Sequence, residues 1–441
     1  MDRELFGTDG VRALAGTYPL DDAGTEAIGR AVGTQFAEPG EHIVIGCDTR
    51  ESSEHLVELL SKGLHGVGVH VVFAGVIPTP GLAYLTAQHP EFVAGVMVTA
   101  SHNPYEYNGV KVFSTGGSKL PDAAEARLNH DIETGVQDRP NPHQPESCKE
   151  SPHKQTMELC KEYEDFLVAS ADGLSLAGKR IIIDTAHGAA SSLGQRVLER
   201  LGATVVSRGA APDGRNINLD CGATNTLALR DAVLEHQADC GIAVDGDADR
   251  LILVDALGRE CNGDYLMYIL AVANDYPHVV ATVMSNLGVE QAMQAHGITM
   301  DRTAVGDRYV LERLLETDAD IGGEQSGHII LPRLATTGDG LLAAVQVLRA
   351  VTSSGKSLSE WRDEVTMLPQ SLVNFHISDK TKLRAPEVEA YIQAKTTELG
   401  GSGRILVRAS GTEPLARVMV EAPEAENLAN EMATHIQELV A

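Results

Sequence analysis

Residues 41–80 read EHIVIGCDTRESSEHLVELLSKGLHGVGVHVVFAGVIPTP, and this stretch decides the fold class. It contains two short apolar runs, HIVIG and VHVVFAG, whose β-branched residues favour strands. Between them, apolar residues from Ser53 to Leu64 recur at helical spacing. A strand, a helix and a second strand in this order predict a βαβ unit, and such units build largely parallel sheets with crossover helices.

The same alternation continues along the chain. The runs FVAGVMV (92–98), RIIID (180–184) and VVATVMS (279–285) predict further strands, and helical spacing recurs between such runs. Prolines and polar residues crowd the stretch from Asp138 to Pro152, which predicts a linker or long surface loop. We therefore expect four α/β-type units in this chain.

Composition limits the class of protein. The 441 residues are too many for one ordinary core, and 43% hydrophobic with 22% charged residues is typical of a soluble globular protein. No apolar run approaches the roughly 20 residues that span a bilayer. The start, MDRELFGTDG, does not resemble a signal peptide, and the six cysteines form no CxxC pair, so we expect a cytoplasmic protein.

The formal net charge of −27 opposes binding to nucleic acid or to an anionic membrane, and we expect neither partner. An anionic substrate would require cations concentrated locally against this overall field.

The first motif with chemical potential is TASHNP at residues 99–104, directly after a predicted strand. Parallel sheets present ligand-binding groups at this end of their strands. The Asn-Pro pair favours a turn, so we expect the Ser101 hydroxyl to be exposed beside the His102 imidazole. Lys111 is close enough in sequence to share the site. The motif alone is equally compatible with an ordinary loop.

The second motif is DGDADR at residues 245–250, between the apolar runs GIAV and LILVD. Its three alternating carboxylates belong to Asp245, Asp247 and Asp249. Such carboxylates can converge on Mg²⁺, which prefers oxygen ligands. An EF-hand is excluded, because Arg250 and Ala256 stand where that loop needs glycine and glutamate. An acidic run between two apolar strands would be costly without a counter-ion, which favours a metal site over a solvated loop.

The third and fourth motifs offer groups suited to a sugar phosphate. GGEQSGH at residues 322–328 carries Glu324 and Ser326, an acceptor and a donor for sugar hydroxyls, and His328, which could move protons. RASGTEP at residues 408–414, with Arg417 following, combines guanidinium groups, hydroxyls and a glycine backbone, which suit a phosphate dianion. Each could alone be a turn, but the four motifs together predict phosphoryl transfer on a sugar phosphate.

These motifs, in this order, resemble those of the α-D-phosphohexomutase family, and the opening FGTDGVR (6–12) resembles its N-terminal signature. The resemblance runs from Phe6 to Glu421. GEQSGH (323–328), TVMSNLG (282–288) and VGDRYV (305–310) resemble the branch that acts on glucosamine phosphate. The branches that act on mannose and glucose phosphates more typically carry GEMSGH or GEESFG.

The resemblance implies an α/β fold in which three related α/β domains, with mixed, largely parallel sheets, and a smaller C-terminal α+β domain surround a central cleft. We place the phosphoserine loop in a domain at 1–152 and the Mg-binding loop in one at 153–254. The sugar-binding loop falls in 255–366 and the phosphate-binding loop in 367–441.

The resemblance also assigns roles to residues. Ser101 would carry a phosphoryl group and share one Mg²⁺ with the three aspartates. Arg12, His102, Lys111 and His328 would handle protons or balance charge, in an order that sequence does not decide. The substrate would be bound by Arg250, Gly306, Asp307, Glu324, Ser326, Arg408, Ser410, Gly411, Thr412 and Arg417.

The implied reaction is the interconversion of glucosamine 6-phosphate and glucosamine 1-phosphate, which serves amino-sugar nucleotide and cell-wall precursor synthesis. Phosphoserine would donate its phosphoryl group, and a hexosamine 1,6-bisphosphate would be both intermediate and activator. The expected partner is this small sugar phosphate, with the protein a monomer or homodimer. Ser101 must then lie near the three aspartates with an accessible hydroxyl.

Three other functions compete with this interpretation. The protein could be a phosphomannomutase/phosphoglucomutase of the same family. It could be a haloacid-dehalogenase-type phosphatase with Asp245 as nucleophile, which leaves residues 408–417 without a role. A non-catalytic sugar-phosphate sensor is disfavoured, because Ser101, the aspartates and His328 are all present.

Overall fold

The computed structural model describes residues 5–7, 10–136, 152–410 and 414–440. The linker predicted between Asp138 and Pro152 lies outside these ranges except for Pro152 itself. The chain divides into two compact units. The first comprises Met1–Val283 and Met300–Arg362, and the second comprises Met284–Thr299 and Asp363–Ala441.

The first sheet and its helices occupy the N-terminal part of the first unit. Their bounds are β1 (Val11–Leu14), α1 (Asp22–Phe36), β2 (His42–Cys47), α2 (Ser53–Gly66), β3 (His70–Val76), α3 (Thr79–Gln88), β4 (Phe92–Val98), β5 (Tyr107–Ser114) and α4 (Asp122–Thr134). The strand order is β1-β5-β4-β2-β3, with β2 parallel to β3 and β4. The predicted βαβ unit is confirmed as β2, α2 and β3. Ile43, Ile45, Leu60 and Val96 are buried in the core of this sheet and its helices.

The second sheet follows in the same unit. Its elements are α5 (Pro152–Ala169), β6 (Arg180–Asp184), α6 (Leu193–Arg200), β7 (Thr204–Arg208), α7 (Leu227–Glu235), β8 (Cys240–Val244), β9 (Leu251–Asp255) and β10 (Glu260–Cys261). The strand order is β10-β9-β8-β6-β7, and β6 is parallel to β7 and β8.

The third group of elements is α8 (Gly263–Ala273), β11 (His278–Thr282), α9 (Leu287–Ala295), β12 (Thr299–Thr303), α10 (Asp307–Thr317), β13 (Ile321–Gly323), β14 (Ile329–Ile330), α11 (Gly340–Ser354) and α12 (Leu358–Asp363). Its sheet has the order β12-β11-β13-β14. β11 is parallel to β13, and β13 is antiparallel to β14.

One four-strand arrangement recurs in these three sheets. The first strand (β2, β6 or β11) lies between the second and the third, and the fourth is antiparallel to the third. A short loop joins the third strand to the fourth. The first two loops contain TASHNP and DGDADR, and the third contains Glu324 to His328 of GGEQSGH, which we call the sugar-hydroxyl motif. Each repeat therefore presents one motif at the same topological position.

The second unit contains a smaller antiparallel sheet. Its elements after the third group are β15 (Gln370–His376), α13 (Pro386–Leu399), β16 (Arg404–Ala409), β17 (Leu415–Glu421) and α14 (Ala425–Val440), with the strand order β15-β17-β16. Helix α9 belongs to this unit. The buried Glu421 carboxylate fixes it there by accepting from the Leu287 backbone N–H (3.2 Å) and from Arg404 Nε (2.9 Å).

The expected fold class, three related α/β domains and a smaller C-terminal α+β domain, is confirmed. The domain boundaries at 152, 254 and 366 stay predictions. Within the described ranges, no helix combines the length and the apolar character needed to cross a bilayer.

A buried carboxyl group caps the N-terminus of α11. Asp339 is 2% exposed, and it accepts from the Leu342 backbone N–H (2.9 Å) and from the Tyr163 hydroxyl (2.8 Å). Burial raises the pKa of Asp339 to about 6, although both hydrogen bonds act in the opposite direction. The folded protein therefore binds this proton more tightly than the unfolded chain does.

The contribution of Asp339 to stability should be complete below pH 4 and be lost as the pH rises through about 6. For Asp339→Asn, whose side chain retains an acceptor for Leu342, we expect the free energy of unfolding to be flatter with pH. The difference from wild type should change by roughly 2–3 kcal/mol between pH 4 and pH 7. Urea denaturation at both pH values measures this, and a difference that stays constant with pH would contradict it.

Candidate active site

Ser101 lies in the loop between β4 and β5, in a left-handed backbone conformation with φ of +50°. L-residues rarely adopt this conformation, so the surroundings must hold it. The Ser101 backbone N–H donates to Thr99 Oγ1 (3.0 Å), which itself donates to Asp48 Oδ2 (2.7 Å). The turn therefore depends on a carboxylate at the end of β2.

The Ser101 hydroxyl donates to Asp245 Oδ2 at 2.7 Å, and Oγ lies 3.3 Å from His102 Nδ1. The first and second sheets thus bring the serine and an aspartate together. The expectation of an exposed hydroxyl is wrong, because Ser101 is only 2% exposed. The loop of Asp245 closes over the serine, and a Cβ on Gly246 would stand 2.6 Å from the Ser101 carbonyl oxygen.

Arg50 stabilises the loop between β4 and β5 that contains Ser101, called the serine loop below. Its guanidinium, wholly buried with Asp48, donates to Asp48 Oδ2 (2.9 Å). It also donates to the backbone carbonyls of Ser101, Asn103, Pro104 and Tyr107. Sequence reasoning missed both residues. The available signal was the charged pair in CDTR, which directly follows the apolar strand β2.

The three aspartates of DGDADR form one cluster. One carboxylate oxygen from each residue lies within 4.8 Å of those from the other two, and all three residues are buried. Oδ1 of Asp247 and Oδ1 of Asp249 are buried and have no hydrogen-bond partner among the described residues. Arg250 Nε lies 3.9 Å from Asp249 Oδ1, beyond hydrogen-bond distance. Buried anionic oxygens that lack hydrogen bonds are costly unless a cation binds them. The residues present therefore fit a hard divalent cation such as Mg²⁺.

The pKa values within this cluster diverge. Burial, followed by the charges of Asp249 and Asp247, raises the pKa of Asp245 to about 8. Burial also opposes ionisation of Asp249, but Lys111, His328 and Arg250 outweigh it and hold the pKa of Asp249 well below its ordinary value. Near neutral pH, Asp249 therefore carries its negative charge more readily than Asp245 does.

Lys111 and Arg250 both contact the cluster, and Arg250 Nε lies 3.9 Å from Asp249 Oδ1. Lys111 Nζ donates to Asp247 Oδ2 (2.7 Å) and lies 3.4 Å from Asp249 Oδ2, while Thr79 Oγ1 donates to the same Asp247 oxygen (2.6 Å). The Arg250 backbone N–H donates to Asp245 Oδ1 (3.2 Å). Lys111 reaches the cluster from β5, so the first sheet supplies a cation as well as the serine.

His328 lies between two carboxylates. Its Nδ1 is 3.7 Å from Asp249 Oδ2, and its Nε2 is 3.3 Å from Asp307 Oδ2. Lys119 also forms an ion pair with Asp307. Burial opposes protonation, but Asp249 and Asp307 outweigh it and raise the pKa of His328. Asp307, predicted to bind substrate, thus pairs with His328 and Lys119.

The sugar-hydroxyl motif is preorganised by its own neighbours. Glu324 Oε1 accepts from the Gly306 backbone N–H (2.9 Å), and Ser326 Oγ donates to Glu324 Oε2 (3.1 Å). Gly306 has a φ of +133°, which side-chain-bearing residues rarely adopt. The predicted residues Gly306, Glu324 and Ser326 therefore form one contact group.

Arg12 and His102 lie at the rim of the serine loop. Arg12 Nη1 donates to Asn103 Oδ1 (3.1 Å). Burial, followed by the charges of Arg250 and Arg12, lowers the pKa of His102 to about 4. The imidazole beside Ser101 Oγ is therefore uncharged at physiological pH, and its low pKa makes it a weak base.

The phosphate motif belongs to the second unit. Arg408 on β16 and Arg417 on β17 are directly opposite in the antiparallel register. Burial and the charge of Arg417 lower the pKa of Arg408. Like charges directly opposite each other are destabilising, and a bound anion would relieve them. Ser410 is buried beside this pair, whereas Gly411 and Thr412 lie outside the described residues.

Sequence profiles of the phosphoglucomutase/phosphomannomutase family match nearly the whole chain. Its α/β/α domains I, II and III match residues 3–139, 161–258 and 262–367, and its C-terminal domain matches residues 372–437.

Individual proteins show the same similarity. A protein from Solibacter usitatus named phosphoglucosamine mutase is 45% identical over 97% of this chain and 96% of its own length. The crystal structure of a phosphoglucomutase/phosphomannomutase family protein from Burkholderia thailandensis matches with a TM-score of 0.79 at 21% identity, covering 99% of this chain and 96% of that one. Aspergillus fumigatus N-acetylphosphoglucosamine mutase, solved with GlcNAc-6P and magnesium, matches with a TM-score of 0.65 at 17% identity, covering 99% and 95%.

Proposed function

Because the chain belongs to the phosphoglucomutase/phosphomannomutase family, we propose that it interconverts glucosamine 6-phosphate and glucosamine 1-phosphate, as a phosphoglucosamine mutase. The observation that supports this most directly is the contact between Ser101 Oγ and Asp245 Oδ2, which joins a nucleophile to a buried carboxylate cluster. The 45% identical relative supports the amino-sugar substrate.

Asp245, Asp247 and Asp249, together with an oxygen of phosphorylated Ser101, would hold one Mg²⁺. The bound ion would neutralise negative charge on the transferring phosphoryl group. The buried Oδ1 atoms of Asp247 and Asp249, which accept no hydrogen bond from the described residues, support this assignment, and the A. fumigatus relative was solved with magnesium.

The transfer itself needs few groups of this chain. The Ser101 Oγ–P bond breaks as a sugar hydroxyl oxygen forms a bond to phosphorus. The hydroxyl proton passes to a nearby base, and the departing Ser101 Oγ takes up a proton to become the free hydroxyl. Lys111 and Arg250 would stabilise the phosphoryl oxygens. Since Ser101 is buried, the Asp245 contact must open before Oγ can accept the phosphoryl group back from the 1,6-bisphosphate.

Other side chains would bind and orient the sugar phosphate. Glu324 and Ser326 would contact its hydroxyls, and Arg408, Ser410 and Arg417 would bind the phosphate that is not reacting, with Gly411 and Thr412. His102, whose Nδ1 lies 3.3 Å from Ser101 Oγ, is one candidate for proton transfer at the serine. Arg12, Lys111 and His328 remain candidates for charge balance or proton transfer. We further propose a cytoplasmic location, since all five described cysteines are free thiols.

Substrate preference provides the test. With Mg²⁺ and a hexose 1,6-bisphosphate activator, turnover of glucosamine 6-phosphate should exceed turnover of glucose 1-phosphate and mannose 1-phosphate in kcat/KM by at least about tenfold. Coupled assays with the three substrates measure this. Preference for mannose or glucose phosphate would instead identify a phosphomannomutase/phosphoglucomutase.

A further inference from the structure

Asn218 crosses from the second sheet's loops to the serine loop. Its Nδ2 donates to the backbone carbonyls of Ser101 (2.9 Å) and Asn103 (3.2 Å). These are two of the carbonyls that Arg50 Nη2 also contacts, each at 2.9 Å. A carbonyl oxygen has two lone pairs, so the two donors can share each acceptor. The peptide segment that carries Ser101 and His102 is therefore held at both of its ends.

Two features of Asn218 are unfavourable for stability. Its φ is +59°, and its Oδ1 is buried with no donor among the described residues. A buried acceptor without a partner usually costs free energy, and unusual backbone conformations cluster at functional sites. Directing the amide nitrogen toward the loop of Ser101 leaves Oδ1 in this position without a donor.

The same side chain contacts the aspartate loop. A Cβ built on Gly246 would stand 2.7 Å from Asn218 Nδ2 and 2.6 Å from the Ser101 carbonyl oxygen. The backbone N–H of Asn218 donates to the Ala186 carbonyl (2.9 Å), and the Ala189 N–H donates to the Gly246 carbonyl (2.8 Å). Asn218 is thus fixed to the same framework that holds the three aspartates.

We propose that Asn218 is a positioning residue that fixes the position of the serine loop relative to the loop of Asp245, Asp247 and Asp249. It holds the Ser101 carbonyl so that Oγ lies at the carboxylate cluster. It acts on phosphoryl transfer only through Ser101, and the inference therefore rests on the proposed phosphoserine function.

Two substitutions separate this role from a general structural one. Asp tolerates a positive φ much as Asn does and has the same shape, but it would place carboxylate oxygens against the two carbonyls. Gly also tolerates this φ and simply removes the donor. If Asn218 serves only the conformation of its own loop, Asn218→Asp should resemble wild type. If its amide donates to the Ser101 and Asn103 carbonyls, Asn218→Asp should be more damaging than Asn218→Gly.

The experiment is a time course of intact mass for the full-length protein with Mg²⁺ and glucose 1,6-bisphosphate, which follows phosphorylation of Ser101. We expect Asn218→Gly to slow this rate about tenfold and Asn218→Asp to slow it further. The bisphosphate concentration at half-maximal rate should stay within about twofold of wild type, because Asn218 is not assigned a substrate contact.

Asn216→Asp is the matched control, since Asn216 lies in the same loop and its Nδ2 donates to the Ala211 carbonyl (2.9 Å). It should phosphorylate at close to the wild-type rate. A rate for Asn218→Asp equal to that of wild type or of Asn216→Asp would overturn the inference and leave the mutase proposal intact. A wild-type protein that gains no phosphoryl group would overturn both.

Discussion

Replacement of Ser101 by alanine should reduce mutase turnover by roughly 10⁴-fold or more, because it removes the hydroxyl that contacts Asp245 and is proposed to carry the phosphoryl group. The variant should also gain no phosphoryl group from a hexose 1,6-bisphosphate, whereas the wild-type mass should increase by one phosphoryl group. Steady-state assays and intact mass spectrometry measure the two effects. Loss of both together would identify Ser101 Oγ as the atom that carries the phosphoryl group.

Ser114→Ala provides the control for Ser101→Ala. Ser114 ends β5, and its hydroxyl donates only to the Ser118 carbonyl (3.1 Å), so its loss should leave turnover near wild type. Activity that survives Ser101→Ala but not Asp245→Asn would contradict the proposal. That pattern would support the phosphatase alternative, in which Asp245 is the nucleophile.

Replacement of Arg50 by methionine should destabilise the protein by about 3–5 kcal/mol. The substitution leaves the Asp48 carboxylate buried without its counter-ion and deprives four backbone carbonyls of a donor. Urea denaturation followed by circular dichroism measures the loss. Because the same donor holds the serine loop, mutase turnover should fall even under conditions where the variant remains folded.

A double-mutant cycle measures the interaction free energy between Arg50 and Asp48. Asp48→Asn in the Arg50→Met background removes the buried carboxylate that has lost its counter-ion, so the double variant should be more stable than Arg50→Met alone. Arg215→Met is the matched control, because Arg215 pairs with Glu51 at the surface, where their side chains are 67% and 45% exposed. Solvent screens such a pair, and its loss should be barely measurable. Equal effects of Arg50→Met and Arg215→Met would contradict the assigned role of Arg50.

The sequence predicted the fold class because hydrophobic periodicity is a local property. The run from Phe92 to Val98 has apolar residues and no helical spacing, and it forms β4 within those bounds. The helix predicted from Ser53 to Leu64 forms α2 and extends only to Gly66. The repeat was not evident in the sequence. It consists of strand order and pairing direction, which many different apolar residues can satisfy.

The site divides in the same way. Alternating carboxylates and a serine beside an Asn-Pro turn could be recognised from residue type and spacing, since the chemistry of each motif is contained in a few consecutive residues. The roles of Asp48, Arg50 and Asn218 could not be assigned in this way, because the residues of the Ser101 loop that they contact lie 51 or more positions away along the chain.

The sequence by itself determined the alternation of strands and helices and the composition of the carboxylate cluster, and its motifs were sufficient to propose Ser101 as the nucleophile. Only the tertiary structure decided that Ser101 is buried, that Lys111 and His328 contact the cluster, and that Asp307 pairs with His328. The physical reason is that burial and electrostatic pairing depend on which loops meet in space, and hydrogen bonds between residues remote in sequence leave no periodic trace in the chain.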